Sequence, residues 1–205
     1  MTSVALRPIL SIAVAYLLGS IPFALLLARR WGTHDLHQTG SGNIGAANVF
    51  RASGPAAGLL VALLDIGKGA AGVCLAMRLN DAGAASACAG FAAVVGHVYP
   101  VWLRFRGGKG VATACGAFAV LAPIPTLAAC LVFAVGVWSS RYVSIGSVLA
   151  STILPPLAYA LGSPHPVVLA ALASATLIVF RHRSNLARVR LGTERRLARV
   201  RPREL

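Results

Sequence analysis

Long hydrophobic runs, separated by short polar stretches, make up most of this chain. Four runs contain no Asp, Glu, Lys or Arg: 8–28, 82–103, 110–140 and 142–180. A fifth run, 55–77, is interrupted by charge only at Asp65 and Lys68. Since about 20 apolar residues span a bilayer as a helix, this pattern predicts an all-α, polytopic integral membrane protein.

Two of these runs are too long to be single spans. The run 110–140 would form a helix roughly 46 Å long, whereas the hydrocarbon core is about 30 Å thick. The two prolines in 122–125 predict a break there, and the Gly- and Pro-containing stretch 162–166 divides the run 142–180 in the same way. The first run exceeds the length of a signal-peptide core and is interpreted as one retained helix. We therefore predict seven transmembrane helices, several of them short, in a single domain covering 1–205.

The charge distribution predicts the orientation in the membrane. The formal net charge is +14, and 16 lysines and arginines fall in segments on one side of the predicted spans. Only Arg7 and Arg78 fall on the other side. By the positive-inside rule, the larger loops and the basic C-terminal segment 181–205 are cytoplasmic, and the N-terminus is outside. The basic residues flank spans and lack a nucleic-acid-binding module, so membrane lipids are the predicted partners and nucleic acid is not.

A glycine-rich polar stretch, 40–51, interrupts the hydrophobic sequence after the first run. Its glycines allow backbone N–H groups to converge, and Ser41, Asn43 and Asn48 add side-chain donors. Arg51 supplies a planar fork of donors that suits a phosphate group. The stretch is therefore a candidate phosphate site, and a flexible turn is the alternative.

A second candidate is the Gly107-Gly108-Lys109-Gly110 stretch, directly before a predicted helix. Free backbone donors, the positive end of the helix dipole and an ammonium group would all face one anion there. The stretch is not a Walker A loop, because Gly110 occupies the position of the Ser or Thr that holds Mg²⁺. ATP is therefore not implied, and a basic turn is the alternative.

A third polar stretch, 182–194, follows the last run. His182 and Asn185 are three residues apart, so they share a face if the helix continues. Glu194 is the only acidic residue among many arginines in this stretch and could orient one of them. The stretch is a candidate catalytic segment, and a structural role for His182 after the last span is the alternative.

Together, the three stretches resemble the bacterial acyl-phosphate:glycerol-3-phosphate acyltransferases, the integral membrane family often called PlsY. The resemblance rests on the serine-glycine-asparagine loop with its arginine ten residues on, the Gly-Gly-Lys-Gly run, and the His-x-x-Asn…Gly-x-Glu ending. Ile44 and Ala47 stand where the family commonly has proline and threonine. Order and hydrophobic context match over nearly the full chain.

The resemblance implies a seven-helix enzyme of the bacterial cytoplasmic membrane in an early step of phospholipid synthesis. It would transfer a fatty acyl group from acyl phosphate to glycerol 3-phosphate, giving 1-acylglycerol 3-phosphate (lysophosphatidate) and phosphate. Acyl-CoA, a cofactor and a metal ion would not be needed. An upstream enzyme that produces acyl phosphate would be a partner.

The resemblance also suggests roles for particular residues. The candidate catalytic residues are Ser41, Lys109, His182 and Asn185. The candidate phosphate-binding residues are Asn43, Asn48, Arg51, Gly108, Lys109, Gly110, Ser147 and Glu194. Because phosphate is a good leaving group and its oxygens accept protons, the transfer would be substrate-assisted and Ser41 would bind rather than attack. His182 would either accept the hydroxyl proton or only orient the substrate.

The sequence allows two interpretations for several other polar residues. Asp65 and Lys68 lie three residues apart in the second span, so we predict a structural ion pair. The alternative is that the two residues lie behind the active site and hold its residues in place. His97 is either a packing residue or a supporting donor. His34, Asp35 and His37 resemble a metal cluster, but because a fourth ligand is lacking they are predicted to be solvated loop residues.

Two other classes of protein compete with the enzyme. A transporter would also place glycine-rich breaks and cations among membrane helices, but its site would lie near the bilayer midplane. A structural or regulatory membrane protein would leave three polar motifs with nothing to bind. Clustering of the motifs at one surface favours the enzyme.

Overall fold

The computed structural model describes residues 2–28, 36, 42–80 and 83–197. Within these residues the regular structure is helical, with no strand. The α-helices are α1 Thr2–Gly19, α2 Phe23–Ala28, α3 Ala46–Ser53, α4 Pro55–Leu79, α5 Ala84–Val98, α6 Val111–Leu121, α7 Pro123–Ser140, α8 Val143–Ala160, α9 His165–Arg181 and α10 Arg183–Arg190. The predicted all-α class is confirmed.

The outer faces of the long helices are apolar, as contact with lipid requires. Large exposed side chains on these faces include Leu59 in α4, Leu131 and Trp138 in α7 and Leu169 in α9. Within the described residues, five helical segments are long and apolar enough to cross a membrane, and a sixth is added if α9 and α10, bent by 50°, form one span. The helix α6 is apolar but has only 11 residues. The number of seven spans therefore stays a prediction.

Both predicted helix breaks are confirmed. Helix α6 ends at Leu121 and α7 begins at Pro123, and Ala122 between them has a non-helical backbone. Helix α8 ends at Ala160, and Gly162 adopts a positive φ of 74° before α9 begins. Each break divides a long run into two shorter helices that pack against each other.

The first run is a single candidate span, Leu6–Ala28, as predicted, but its helix is interrupted. Helix α1 ends at Gly19 and α2 begins at Phe23. Pro22 lies between them, and its missing N–H cannot continue the helical hydrogen-bond ladder. The break leaves the Ile21 carbonyl outside the i→i+4 ladder, since Leu25 N donates to Pro22 O at 3.0 Å instead.

Glycines allow α4 and α6 to pack backbone against backbone. A Cβ added at Gly69 of α4 would collide with the Thr113 carbonyl, and one added at Gly116 of α6 would collide with the Ile66 carbonyl. Small residues at such crossings let membrane helices approach closely. The contact fixes the beginning of α6, and therefore the loop before it, relative to the middle of α4.

Candidate active site

The stretches 107–110 and 182–194 meet through a chain of polar contacts at one end of the helices. Lys109 Nζ donates to Asn185 Oδ1, and Asn185 Nδ2 donates to Glu194 Oε1 at 2.6 Å. Arg188 Nε donates to Glu194 Oε2 at 2.8 Å, so the predicted pairing of Glu194 with an arginine is present. Ser144 Oγ, in the first turn of α8, donates to Glu194 Oε1 at 3.2 Å. Glu194 therefore connects the stretch 182–194 both to the 107–110 loop, which carries Lys109, and to the beginning of α8.

The loop before α6 is held against the end of α5 by its backbone. Gly107 N donates to Val98 O at 3.0 Å, and Gly108 N donates to His97 O at 3.1 Å. Gly110, with a positive φ of 88°, forms the N-cap of α6. This left-handed turn leads directly into the helix, whose first N–H groups form a positive end beside Lys109.

The described part of the site is strongly electropositive. Burial lowers the pKa of the Lys109 ammonium to about 8, with Glu194 opposing the shift and the neighbouring arginines adding to it. Burial likewise lowers the pKa of Arg51. Burial acts to raise the pKa of Glu194, but hydrogen bonds from Asn185 and Arg188 bring it below its ordinary value. Two partly desolvated cations thus line the same cavity, which suits a dianionic ligand.

His182 lies at the junction of α9 and α10 and is buried, at 2% exposure. Its Nδ1 lies 2.8 Å from the Ile178 carbonyl oxygen. Because a carbonyl only accepts, this contact assigns the ring proton to Nδ1 and leaves a lone pair on Nε2. His182 lines the same cavity as Lys109 and Asn185.

A cavity of about 420 Å³ connects these polar groups to an apolar slot between the helices. The polar groups assigned to its mouth are Asn43, Asn48, Arg51, Lys109, Ser144, Ser147, His182, Asn185 and Glu194. Other polar lining residues are Asp65, His97, Thr126, Ser151 and Ser174. The apolar walls come from α4, α6, α7, α8 and α9, and include Ala62, Val111, Ala129, Phe133, Ala150, Leu154, Ala171 and Ala175. Its size is within the usual range for small-molecule sites.

The structure brings most of the predicted site residues to this cavity, with some differences. Ser41 lies outside the described residues, as do His34, Asp35 and His37.

Gly108 belongs to the loop but does not line the cavity, whereas Gly110 does. Ser147 lines the cavity while donating to Val143 O at 2.8 Å, and Asn48 Nδ2 donates to Leu36 O at 3.1 Å.

Of the two serines near the start of α8, Ser147 was predicted as the substrate contact, whereas Ser144 is the serine whose hydroxyl donates to Glu194. Both serines lie on the first turns of α8, three residues apart, and both line the cavity. Their spacing places them on one helix face, so the pattern alone did not separate them.

The fold and this cavity define a class of protein. The chain is a multi-pass integral membrane protein with a cavity that joins basic and polar side chains to an apolar slot among the helices.

Comparison with known proteins identifies the family. A family model described as glycerol-3-phosphate acyltransferase matches residues 9–192. The glycerol-3-phosphate acyltransferase of Roseobacter denitrificans is 48% identical over 181 residues, which cover 88% of this chain and 90% of the relative. The chain therefore belongs to the glycerol-3-phosphate acyltransferase family and is an enzyme.

Two solved structures are similar over almost the whole fold. Both are crystal structures of PlsY, an integral membrane glycerol 3-phosphate acyltransferase. The glycerol 3-phosphate form is 38% identical with a TM-score of 0.89, covering 93% of this chain and 96% of that one. The lysophosphatidic acid form is 37% identical with a TM-score of 0.87, covering 93% and 95%. The predicted PlsY resemblance is confirmed.

Proposed function

We propose that this enzyme transfers a fatty acyl group from acyl phosphate to glycerol 3-phosphate, giving 1-acylglycerol 3-phosphate and inorganic phosphate. One observation carries the proposal: a single cavity joins the cations Arg51 and Lys109 to an apolar slot among the helices. An acyl phosphate has the same two parts, a dianionic head and a hydrocarbon tail. The known glycerol 3-phosphate and lysophosphatidic acid forms of PlsY are consistent with the acceptor and the product.

The phosphate groups of both substrates lie at the polar mouth of the cavity in this proposal. Lys109 and Arg51 neutralise them, and the N-terminus of α6 adds backbone donors and its dipole. Asn43, Asn48 and Ser147 fix oxygen positions by hydrogen bonds, and Glu194 keeps Asn185 in place. Ser41 is proposed as a further phosphate-binding group.

The reaction needs no covalent enzyme intermediate. The acceptor hydroxyl oxygen attacks the acyl carbon, an ester bond forms, and the bond between that carbon and the phosphate oxygen breaks. The proton passes to the departing phosphate, which is basic enough to take it, or first to Nε2 of His182. Lys109 and Arg51 stabilise the negative charge that develops on the leaving phosphate. These residues carry the whole step, with no cofactor.

We further propose that the site faces the cytoplasm of a bacterial cell, in its inner membrane, with the N-terminus outside. The basic residues that flank the site support this orientation through the positive-inside rule. Glycerol 3-phosphate would then reach the site from the cytoplasm. An enzyme that makes acyl phosphate would supply the donor, and anionic lipids would contact the basic segment 181–205.

A transporter is the competing function, and the position of the polar cluster disfavours it. Lys109, Asn185 and Glu194 lie in or beyond the connections at the helix ends, whereas a transport site lies near the midplane. The chain's family membership also favours the enzyme.

Product analysis with purified protein tests the proposal. We expect palmitoyl phosphate and glycerol 3-phosphate to give lysophosphatidate and phosphate in equal amounts, and phosphate release to depend strictly on glycerol 3-phosphate. Palmitoyl-CoA is the control donor and should give no product. Transfer from palmitoyl-CoA at the same rate would contradict the proposed donor.

A further inference from the structure

Three buried ionisable side chains, Asp65, Lys68 and His97, have no part in the reaction described above; Asp65 and His97 line the cavity, and Lys68 is paired with Asp65. Their exposures are 2%, 6% and 8%. Buried charges inside a membrane protein are costly and are retained where they are paired. Asp65 and Lys68 form the ion pair predicted from the sequence, with Oδ1 and Nζ 2.8 Å apart.

The ion pair is anchored to the break in the first span. Lys68 Nζ donates to the Ile21 carbonyl at 2.9 Å and lies 5.7 Å from the centre of the Phe23 ring. The Pro22 break makes this carbonyl available to the lysine. Lys68 therefore holds Asp65 of α4 in a fixed position relative to the α1–α2 junction.

On its other side, the ion pair faces His97 at the end of α5. Asp65 Oδ1 lies 3.5 Å from His97 Nδ1, an electrostatic contact longer than an ordinary hydrogen bond. The second ring nitrogen, Nε2, lies directly against Gly108, where an added Cβ would collide with it. Gly108 N also donates to the His97 carbonyl at 3.1 Å. His97 thus contacts the loop before Lys109 through both its ring and its backbone.

We propose that Asp65, Lys68 and His97 are positioning residues, which act through Gly108 to hold the 107–110 loop and so set the location of the Lys109 ammonium. The connected contacts run from the Ile21 carbonyl through Lys68, Asp65 and His97 to Gly108. A displacement of the His97 ring moves the loop, because Gly108 has no side chain to absorb it. This inference rests on the proposed function only for its kinetic readout.

Four variants and a control test this network. Gly108→Ala perturbs the loop directly and identifies which phosphate substrate the loop binds. Asp65→Asn removes the charge that faces His97, and His97→Phe keeps a ring against Gly108 but removes both nitrogens. Asp65→Asn combined with Lys68→Met removes both charges, so no unpaired charge is left buried. Ser86→Ala is the matched control, a buried polar position on the same helix as His97 about 16 Å away.

We expect Gly108→Ala to raise the KM of one of the two substrates. Asp65→Asn, His97→Phe and the double variant should raise the KM of that same substrate, on the order of tenfold. The KM of the other substrate and the kcat should stay within about threefold. Ser86→Ala should keep both KM values. Wild-type KM values in the folded double variant, or a loss of kcat with both KM values unchanged, would overturn the proposal.

A binding measurement separates this inference from the proposed reaction. Calorimetric titration with glycerol 3-phosphate and with inorganic phosphate needs no acyl transfer. Weaker binding of either ligand by the double variant would support the positioning role even if the wild-type enzyme did not use acyl phosphate. Unchanged binding of both ligands would overturn it while leaving the proposed reaction intact.

Discussion

The two halves of the cavity are built differently. At the polar mouth, a few charged groups from separate parts of the chain line the cavity, and two of them, Lys109 and Glu194, are held by specific hydrogen-bond partners. In the slot, many small apolar residues such as Ala150 and Ala175 form the walls. Recognition of a dianion depends on each charge, whereas contact with a hydrocarbon tail depends on total area. The mouth should therefore respond steeply to single substitutions and the slot gradually.

Loss of either cation at the mouth should have the largest effect. We expect Arg51→Ala and Lys109→Ala each to lower kcat/KM roughly a thousand-fold, because the leaving phosphate loses a stabilising charge. Initial rates of the purified variants in detergent measure the effect, and circular dichroism checks the fold. Arg190→Ala, an exposed cation on α10, is the matched control and should keep full activity. Full turnover by Arg51→Ala or Lys109→Ala would contradict the assignment of the mouth.

Glu194→Gln should have the next largest effect. The substitution removes the charge that holds Arg188 and Asn185, and Asn185 is the partner of Lys109. We expect kcat/KM to fall on the order of a hundredfold, since charge-assisted hydrogen bonds are lost. Thermal unfolding measured alongside distinguishes a displaced Lys109 from an unfolded protein. Wild-type kinetics would show that the Glu194 network does not position the lysine.

The slot should respond more weakly and according to tail length. Ala175→Leu, at a buried wall position of α9, narrows the slot and should lower the rate with palmitoyl phosphate about tenfold. The rate with a short acyl phosphate should change little. Ala160→Leu, at an exposed position of α8, is the control. An equal loss with long and short donors would contradict the assignment of the slot to the tail.

The smallest expected effect is a pH dependence at the mouth. With a pKa of about 8, Lys109 is charged below that pH and loses its proton as pH rises. The second pKa of a phosphate ester is about 6, so both charges are present between about pH 6 and 8. The KM for the phosphate substrate should therefore rise above this window, by about fourfold at pH 8.5.

Arginine at position 109 checks the origin of that rise. The side chain in Lys109→Arg stays protonated, so the KM should no longer rise above pH 8. The same rise in Lys109→Arg as in the wild type would assign it to another group.

The sequence predicted the helices and their proline breaks well, because these depend on local chemistry. Runs without charge and the stretches 122–125 and 162–166 were sufficient for α6 to α9. The break at Pro22 was missed although its local signal was present, because the surrounding hydrophobic run was given more weight. The helix α3, which begins within the polar stretch 40–51 and ends at Ser53, was also not predicted.

Most of the polar mouth could be predicted, but its internal partners could not. Asn185, Glu194 and Lys109 stood out as polar residues in glycine- and arginine-rich stretches. The contact of His97 with Gly108 and the choice of Ser144 as the partner of Glu194 depend on how helices pack, which residue spacing does not specify. The sequence therefore predicts which residues reach the mouth better than what holds them there.

The central claim is that three separate connections, here the stretches 40–51, 107–110 and 182–194, form one phosphate site. Calorimetric titration of glycerol 3-phosphate into the wild type and into Arg51→Ala, Lys109→Ala and Asn185→Ala, one variant from each connection, tests it most directly. We predict weaker binding in all three folded variants. Wild-type affinity in any one of them would contradict the claim, because that connection would then not contribute to the shared site.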